Sequence, residues 1–218
     1  MTFSLLGRCA RTGQIGAAAA TSSIAVGSRV AFCAPGVGGI LTQHRTDPRL
    51  GPRGLALLRS GLAAAETIAS LVAGTPHSPW RQLAALDASG TSAAFSGARV
   101  KLEMGEAVTQ NVVAIGNILA NHRVPAAMVN GFLEKEAATL AERLLHALER
   151  GLRAGGEHGA VRSAVLVVYG TYDFPLVDLR VDWHETPVAE LRALWDRYAP
   201  LVDDYVIRAI DPDNAQAL

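Results

Sequence analysis

The arrangement of turn signals constrains this chain most: short apolar segments come as adjacent pairs joined by glycine- or proline-bearing turns, and helical patterns follow in pairs. Thr2 to Gly7 and Ile15 to Ala20 flank Cys9-Ala10-Arg11-Thr12-Gly13-Gln14, and Val30 to Ala34 and Ile40 to Gln43 flank Pro35-Gly36-Val37-Gly38-Gly39. Arg81 to Leu86 and Thr91 to Phe95 flank Asp87-Ala88-Ser89-Gly90. Each is a hairpin signature. Between the second and third, Pro52 opens a helix carrying Leu55, Leu58 and Leu62, and another carries Ile68, Leu71 and Val72 until Gly74-Thr75-Pro76 stops it. A doubly wound parallel sheet alternates single strands with single helices. Grouped hairpins and paired helices predict instead largely antiparallel sheets covered by helices, an α+β layered fold.

The second half continues the pattern. Lys101 to Gln110 shows little periodicity, whereas Val112 to Leu119 is an apolar run broken at Gly116-Asn117, as for a strand leading into a functional loop. Pro125 opens a helix with Met128, Val129, Phe132 and Leu133 on one face; the next carries Leu140, Leu144, Leu145, Leu148 and Leu152 and ends at Gly155-Gly156. Ser163 to Tyr169 has the length and continuity of a buried strand. Val177, Leu179, Val181 and Trp183 alternate with Asp178, Arg180 and Asp182, as in a half-exposed one. Thr186 and Pro187 provide an N-cap and first helical position for Leu191, Leu194, Trp195 and Tyr198. The expectation is one domain over residues 1–210 and a flexible tail over 211–218.

Composition narrows the function. Among 218 residues, half hydrophobic, the chain holds enough apolar surface for a core without disulfide or metal. Twenty Lys and Arg balance twenty Asp and Glu with no basic run, so nucleic acid is not an expected partner. Cys9 and Cys33 have no C-x-x-C spacing and read as a reduced pair in a cytoplasmic protein. The start lacks the basic region of a secretory signal, and the low-charge stretch from Ile15 to Leu41 contains Arg29 and Pro35, so neither export nor a membrane helix is expected. The six histidines show no metal-binding spacing, and no metal or other cofactor is expected. There is no G-x-S-x-G, and Gly36-Val37-Gly38-Gly39 lacks the Lys-Ser/Thr ending of a phosphate loop and reads as a turn. The neutral, apolar-rich composition is compatible with a homodimer.

Thr2 stands out by position. Removal of Met1 would leave a residue bearing both a hydroxyl nucleophile and a free α-amine, whose pKa of about 7.7 to 8.0 suits it as a base far better than lysine at roughly 10.4. A threonine at position 2 is also an ordinary strand residue in many proteins.

The segments Thr2-Phe3-Ser4-Leu5, Ala25-Val26-Gly27, Ala34-Pro35-Gly36-Val37-Gly38, Thr42-Gln43, Asp47-Pro48-Arg49-Leu50-Gly51-Pro52-Arg53-Gly54-Leu55, Arg81-Gln82-Leu83, Ala94-Phe95-Ser96-Gly97, Gly116-Asn117-Ile118-Leu119, Ala141-Glu142-Arg143-Leu144-Leu145, Ala154-Gly155-Gly156-Glu157 and Val177-Asp178-Leu179-Arg180-Val181 together resemble the domain of unknown function 1028 family, over nearly the whole chain. The resemblance implies an Ntn-hydrolase-like fold, a four-layer αββα sandwich, and a hydrolase of a small amide or related C–N bond; it implies no particular substrate. Many members of that family place a Ser-His or Ser-Lys pair before the Ala-Val-Gly segment, where this chain has Thr21-Ser22-Ser23, which leaves the α-amine of Thr2 as the base.

Around a catalytic Thr2, seven residues are candidates to bind a small-molecule substrate. Ser22 and Ser23 can donate to a substrate oxygen or simply form a turn. His44 can orient substrate or move a proton, or can be a surface-loop histidine. Asn117, a polar residue in an apolar run, can serve as an oxyanion donor or bond its own turn. Glu157 can hold a substrate amine or the Thr2 ammonium, or be a solvated carboxylate after a helix end. Arg49 and Arg53 can capture a substrate carboxylate or remain solvated. Two other readings stay open: a non-catalytic ligand-binding or assembly module with Met1 intact, and a hydrolase whose nucleophile or base is Ser22 or His44.

Overall fold

The computed structural model describes residues 1–101 and 103–215. In chain order the elements are β1 (Thr2–Arg8), β2 (Ile15–Thr21), β3 (Ala31–Ala34), β4 (Gly38–His44), α1 (Leu50–Arg59), α2 (Ala64–Ala73), β5 (Arg81–Asp87), β6 (Ser92–Ser96), β7 (Gly105–Thr109), β8 (Val112–Asn117), α3 (Val124–Glu134), α4 (Leu140–Arg153), β9 (Ser163–Tyr169), β10 (Pro175–Val181), α5 (Pro187–Tyr198) and α6 (Val202–Ile210). They form a mixed α/β structure with two sheets, ordered β10-β9-β2-β1-β8-β7 and β3-β4-β5-β6, and every pairing within them is antiparallel. The expected hairpins β1–β2, β3–β4 and β5–β6 are all present.

Strand alternation sorts the core into three apolar regions. Phe3 and Leu5 of β1, with Ala18 and Ala20 of β2, point to α3 and α4 and pack with Met128, Phe132, Leu144 and Leu148. Leu6, Ala17, Ala19, Val113 and Ile115 point the other way, into a layer between the sheets shared with Leu41 of β4 and Ala84 and Leu86 of β5. On the far face of the smaller sheet, Ile40, Leu83 and Ala85 meet Leu50, Leu58, Ile68 and Leu71 from α1 and α2. The alanine run Ala17 to Ala20 is fully buried on both faces because α4 covers one side of β2 and the second sheet approaches the other. Gly7 shows how close the helices come: a Cβ there would stand 2.5 Å from Cε2 of Phe132.

Several expectations need correction. Lys101 to Gln110 contains a strand, β7, paired only with β8 at the sheet edge; none of its side chains is fully buried, so no periodicity marks it. A helix follows Tyr198: a 3₁₀ turn at Ala199–Leu201 redirects the chain around Pro200 into α6, which buries no residue and therefore left no core signal. Leu133 and Trp183, both expected on buried faces, are exposed by 49% and 61%, because α3 turns Leu133 away from α4 and β10 ends at Val181. Leu62 lies beyond α1, which stops at Arg59. Thr186 occupies the N-cap position of α5, but its hydroxyl faces His184 rather than the helix amides. The tail expected from residue 211 opens with a 3₁₀ turn at Pro212–Asn214, and residues 216–218 lie outside the described residues. Cys9 and Cys33 are both free thiols. Among the described residues, no helix is long and apolar enough to cross a membrane.

Candidate functional site

The inter-sheet layer is apolar over most of its length and polar at one end. Thr2 and Ser4 precede Leu6 on the inter-sheet face of β1, and Thr21 follows Ala17 and Ala19 on β2. In the same phase Asn117 follows Val113 and Ile115 on β8, Gln43 follows Leu41 on β4, and Gln82 precedes Ala84 and Leu86 on β5. All six are buried. Buried polar groups need partners, and here they find one another. The Ser4 hydroxyl donates to Gln43 Oε1 at 2.6 Å, and Gln43 Nε2 donates to Gln82 Oε1 at 2.8 Å. Gln82 Nε2 donates to the Gly116 carbonyl and the Ser96 hydroxyl, each at 2.9 Å. Those acceptors fix the orientation of the Gln82 amide, so Oε1 must receive, and Asn117 Nδ2 donates to it at 3.0 Å. The Asn117 atom left buried without a partner is its acceptor, Oδ1.

Thr2 lies at this polar end, buried beneath Met1. Its hydroxyl is 3.1 Å from that of Thr21, and both hydroxyls contact the Met1 carbonyl oxygen. Opposite them, the loop after β8 pairs with the loop after α4. Leu119 bridges Glu157, the His158 amide donates to the Ile118 carbonyl, and the Ala120 amide donates to that of Gly156. Gly155 and Gly156, at φ of 123° and 58°, provide the left-handed turn that carries the chain from α4 to Glu157. Ile118 and His44, at φ of 53° and 71°, adopt the same region without a glycine's freedom, which is backbone strain beside the candidate site.

The electrostatics converge on the chain's amine. The Met1 ammonium is pushed below its ordinary pKa by burial, with Glu157 opposing the fall and Lys101 adding to it. Burial pushes Glu157 up to about 7, outweighing the Met1 ammonium and Ser22, which both pull it down. Both Glu157 oxygens are buried without a hydrogen-bond partner of good geometry. His44 is held below its usual value, again chiefly by burial, against the bond it makes to the Trp80 carbonyl. That bond, 2.9 Å from Nδ1, requires the proton on Nδ1 because a carbonyl can only accept, so Nε2 is the free basic nitrogen.

Thr2, Ser22, His44, Asn117 and Glu157 are thus gathered at one end of the molecule. Ser23 is exposed but borders the group: its hydroxyl is 3.3 Å from that of Thr21 and receives Arg29 at 2.6 Å, while Arg29 also holds the Ile24 and Ala25 carbonyls. Arg49 is engaged bidentately by Asp47, and Arg53 bonds the Gly74 carbonyl after α2, so neither guanidinium joins the group. Sequence reading passed over Thr21, Gln43, Gln82 and the position of the terminal amine; the signal for the first three was their shared phase on alternating strands. Glu157 also lines a cavity of about 380 Å³ with Leu152, Gly159, Val161, Thr186 and Val188. A larger cavity of about 470 Å³, with Cys9, Arg11 and Trp195 in its walls, lies past the other end of β1, about 23 Å from Thr2 at strand spacing.

Comparison with known proteins gives a consistent assignment. The model of the family of unknown function DUF1028 matches residues 2–191. A crystal structure of a protein from Silicibacter pomeroyi assigned to that family superposes with a TM-score of 0.84 at 32% identity, covering 91% of this chain and 89% of that one. The ancestral β-subunit Anbu from Yersinia bercovieri is similar at a TM-score of 0.40 and 12% identity, over 94% of this chain and 96% of that one. No curated protein matches the chain.

Proposed function

The chain belongs to the DUF1028 family, whose function is unknown, and on that premise we propose that it is an N-terminal-nucleophile amidohydrolase acting on a small amide or related C–N bond. We read its three apolar layers between helices and sheets as the four-layer αββα sandwich of Ntn-hydrolase-like proteins. The observation that carries the proposal is the Thr2 hydroxyl at the polar end of the layer between the sheets, in contact with the Thr21 hydroxyl and one residue from the chain's amine.

The reaction requires loss of Met1. The α-amine of Thr2 then accepts the proton of its own hydroxyl, directly or through one water, as Oγ1 attacks the substrate carbonyl carbon. An α-amine with an ordinary pKa of about 7.7 to 8.0 keeps a useful share in the free-base form at neutral pH. The carbonyl oxygen takes the negative charge of the tetrahedral intermediate and is met by the Thr21 hydroxyl and by backbone amides. Collapse breaks the C–N bond, the ammonium returns its proton to the leaving amine, and the ester on Oγ1 remains. Water, deprotonated by the same α-amine, hydrolyses the ester and frees the acid. Asn117 acts from below, holding β8 against Gln82.

Intact mass of the purified chain, followed by a screen of small amides against wild type and Thr2→Ala, tests the proposal. A mass lacking Met1 and turnover lost in Thr2→Ala is the expected result. A chain retaining Met1, or turnover that survives Thr2→Ala and fails in Ser22→Ala or His44→Ala, overturns it.

A further inference from the structure

With Met1 in place the site holds a piece of its own chain, and the contacts made to that piece describe what the site can accept. The Met1 carbonyl oxygen receives the Thr21 and Thr2 hydroxyls. The Met1 side chain lies along Gly159: a Cβ built there would stand 3.2 Å from Cε and 3.4 Å from Sδ, so the missing side chain makes its room. Beyond Gly159 opens the 380 Å³ cavity whose walls include Leu152, Val161 and Val188. The Met1 amine is close enough to Glu157 for each charge to act on the other.

Three acceptor atoms at this end lack a well-placed donor among the described residues. Glu157 is 4% exposed and Asn117 is fully buried, yet among the described residues Asn117 Oδ1 has no hydrogen-bond partner and neither Glu157 oxygen has one of good geometry, Ser22 being the hydrogen-bonding group beside it. A buried carboxylate is among the most unfavourable groups a fold can carry, unless a cation meets it. The Lys101 charge also acts on the amine, and the amine in turn holds His44 down.

We propose that the space filled by Met1 is the acyl-side subsite, and that it takes an α-aminoacyl group with a free ammonium. The ammonium meets Glu157 and Asn117 Oδ1, the carbonyl oxygen meets the Thr21 hydroxyl, and an apolar side chain passes over Gly159 toward the cavity. This deepens the hydrolase reading and rests on it: the substrates are amides of α-amino acids rather than N-acylated compounds.

The experiment uses the full chain, produced with residue 2 first by cleaving an N-terminal fusion, and carrying Thr2→Ala so that ligands persist. L-methioninamide and N-acetyl-L-methioninamide are titrated by calorimetry. Methioninamide is expected to bind at least tenfold tighter than its acetylated form, to lose that advantage in Glu157→Gln, and to be excluded when Met1 is retained. Gly159→Val, at an exposed position the fold can tolerate, is expected to weaken methioninamide by tenfold or more while sparing glycinamide. Equal affinity for the two methioninamides, or binding indifferent to both variants, overturns the subsite. In the Thr2-first wild type, methionine p-nitroanilide is expected to be hydrolysed. Binding without hydrolysis would sink the Thr2 mechanism and leave the subsite standing, whereas equal hydrolysis of the N-acetyl anilide would do the reverse.

Discussion

Glu157→Gln is expected to stabilise the protein at neutral pH although it removes a charged residue. Burial holds this carboxyl at about 7 against an ordinary value of 4.5. At about 1.36 kcal/mol per pH unit, the difference corresponds to roughly 3 kcal/mol by which ionisation disfavours the folded state. The sign follows from proton counting. Between pH 4.5 and 7 the unfolded chain has released this proton and the folded chain retains it, so folded stability falls as pH rises through that window and levels off on either side. Relaxation and water penetration reduce the amount, and about 1 to 3 kcal/mol is expected. Glutamine keeps the shape without the titration. Urea denaturation of both proteins at fixed ionic strength, from pH 4 to 8, measures the effect: the variant should gain on wild type by that amount between pH 4.5 and 7. Burial also lowers the terminal amine from its ordinary value, so the lower part of the window is the cleaner comparison. Parallel stability curves across the window would show that Glu157 is solvated after all, and would remove the physical ground for a cation subsite.

Thr2→Ala should change stability by no more than about 1 kcal/mol, the net worth of one hydroxyl contact, so lost turnover can be read as chemistry once unfolding curves match. Gln82→Leu leaves Gln43 Nε2, Asn117 Nδ2 and the Gly116 carbonyl without their shared partner and should destabilise by about 3 kcal/mol or more, visible as a fall in calorimetric Tm. Asp47, held at about 2 by Arg49 above all, contributes stability above its ordinary 3.8 that disappears as pH falls through about 2. Because Arg49 is largely exposed the contribution is discounted to about 1 kcal/mol, and Asp47→Asn should flatten acid denaturation in that range. Gly16→Ala would place a methyl 2.5 Å from the Val167 carbonyl oxygen and 2.8 Å from Leu144, costing about 2 kcal/mol by overpacking, measured as a shift in urea midpoint.

What the sequence made legible follows from which physical constraints are local. Hairpins and helix pairs announce themselves because turns need particular residues within four or five positions, and Gly13, Gly36 and Gly90 all take positive φ where turns were expected. β7 and α6 left no signal because burial writes the periodic pattern, and each exposes most of its surface. Thr2 was legible from its position, Asn117 and Glu157 as polar residues against apolar or glycine-rich surroundings. Thr21, Gln43 and Gln82 were not, because each is unremarkable on its own strand and becomes significant only once two sheets face each other with those strands in register.

The same phase relation explains why the candidate site and the fold are hard to separate. A layer between two sheets can turn polar at one end only if every group there finds a partner, and Ser4, Gln43, Gln82 and Asn117 Nδ2 do so in one connected set. Such a set makes the end rigid, since moving one amide unpairs its neighbours, and rigidity there is what an attacking hydroxyl on β1 requires. The groups that break the rule, Asn117 Oδ1 and both Glu157 oxygens, border that network rather than belonging to its interior. These three acceptors are where an incoming donor can complete hydrogen bonding that the described residues leave incomplete.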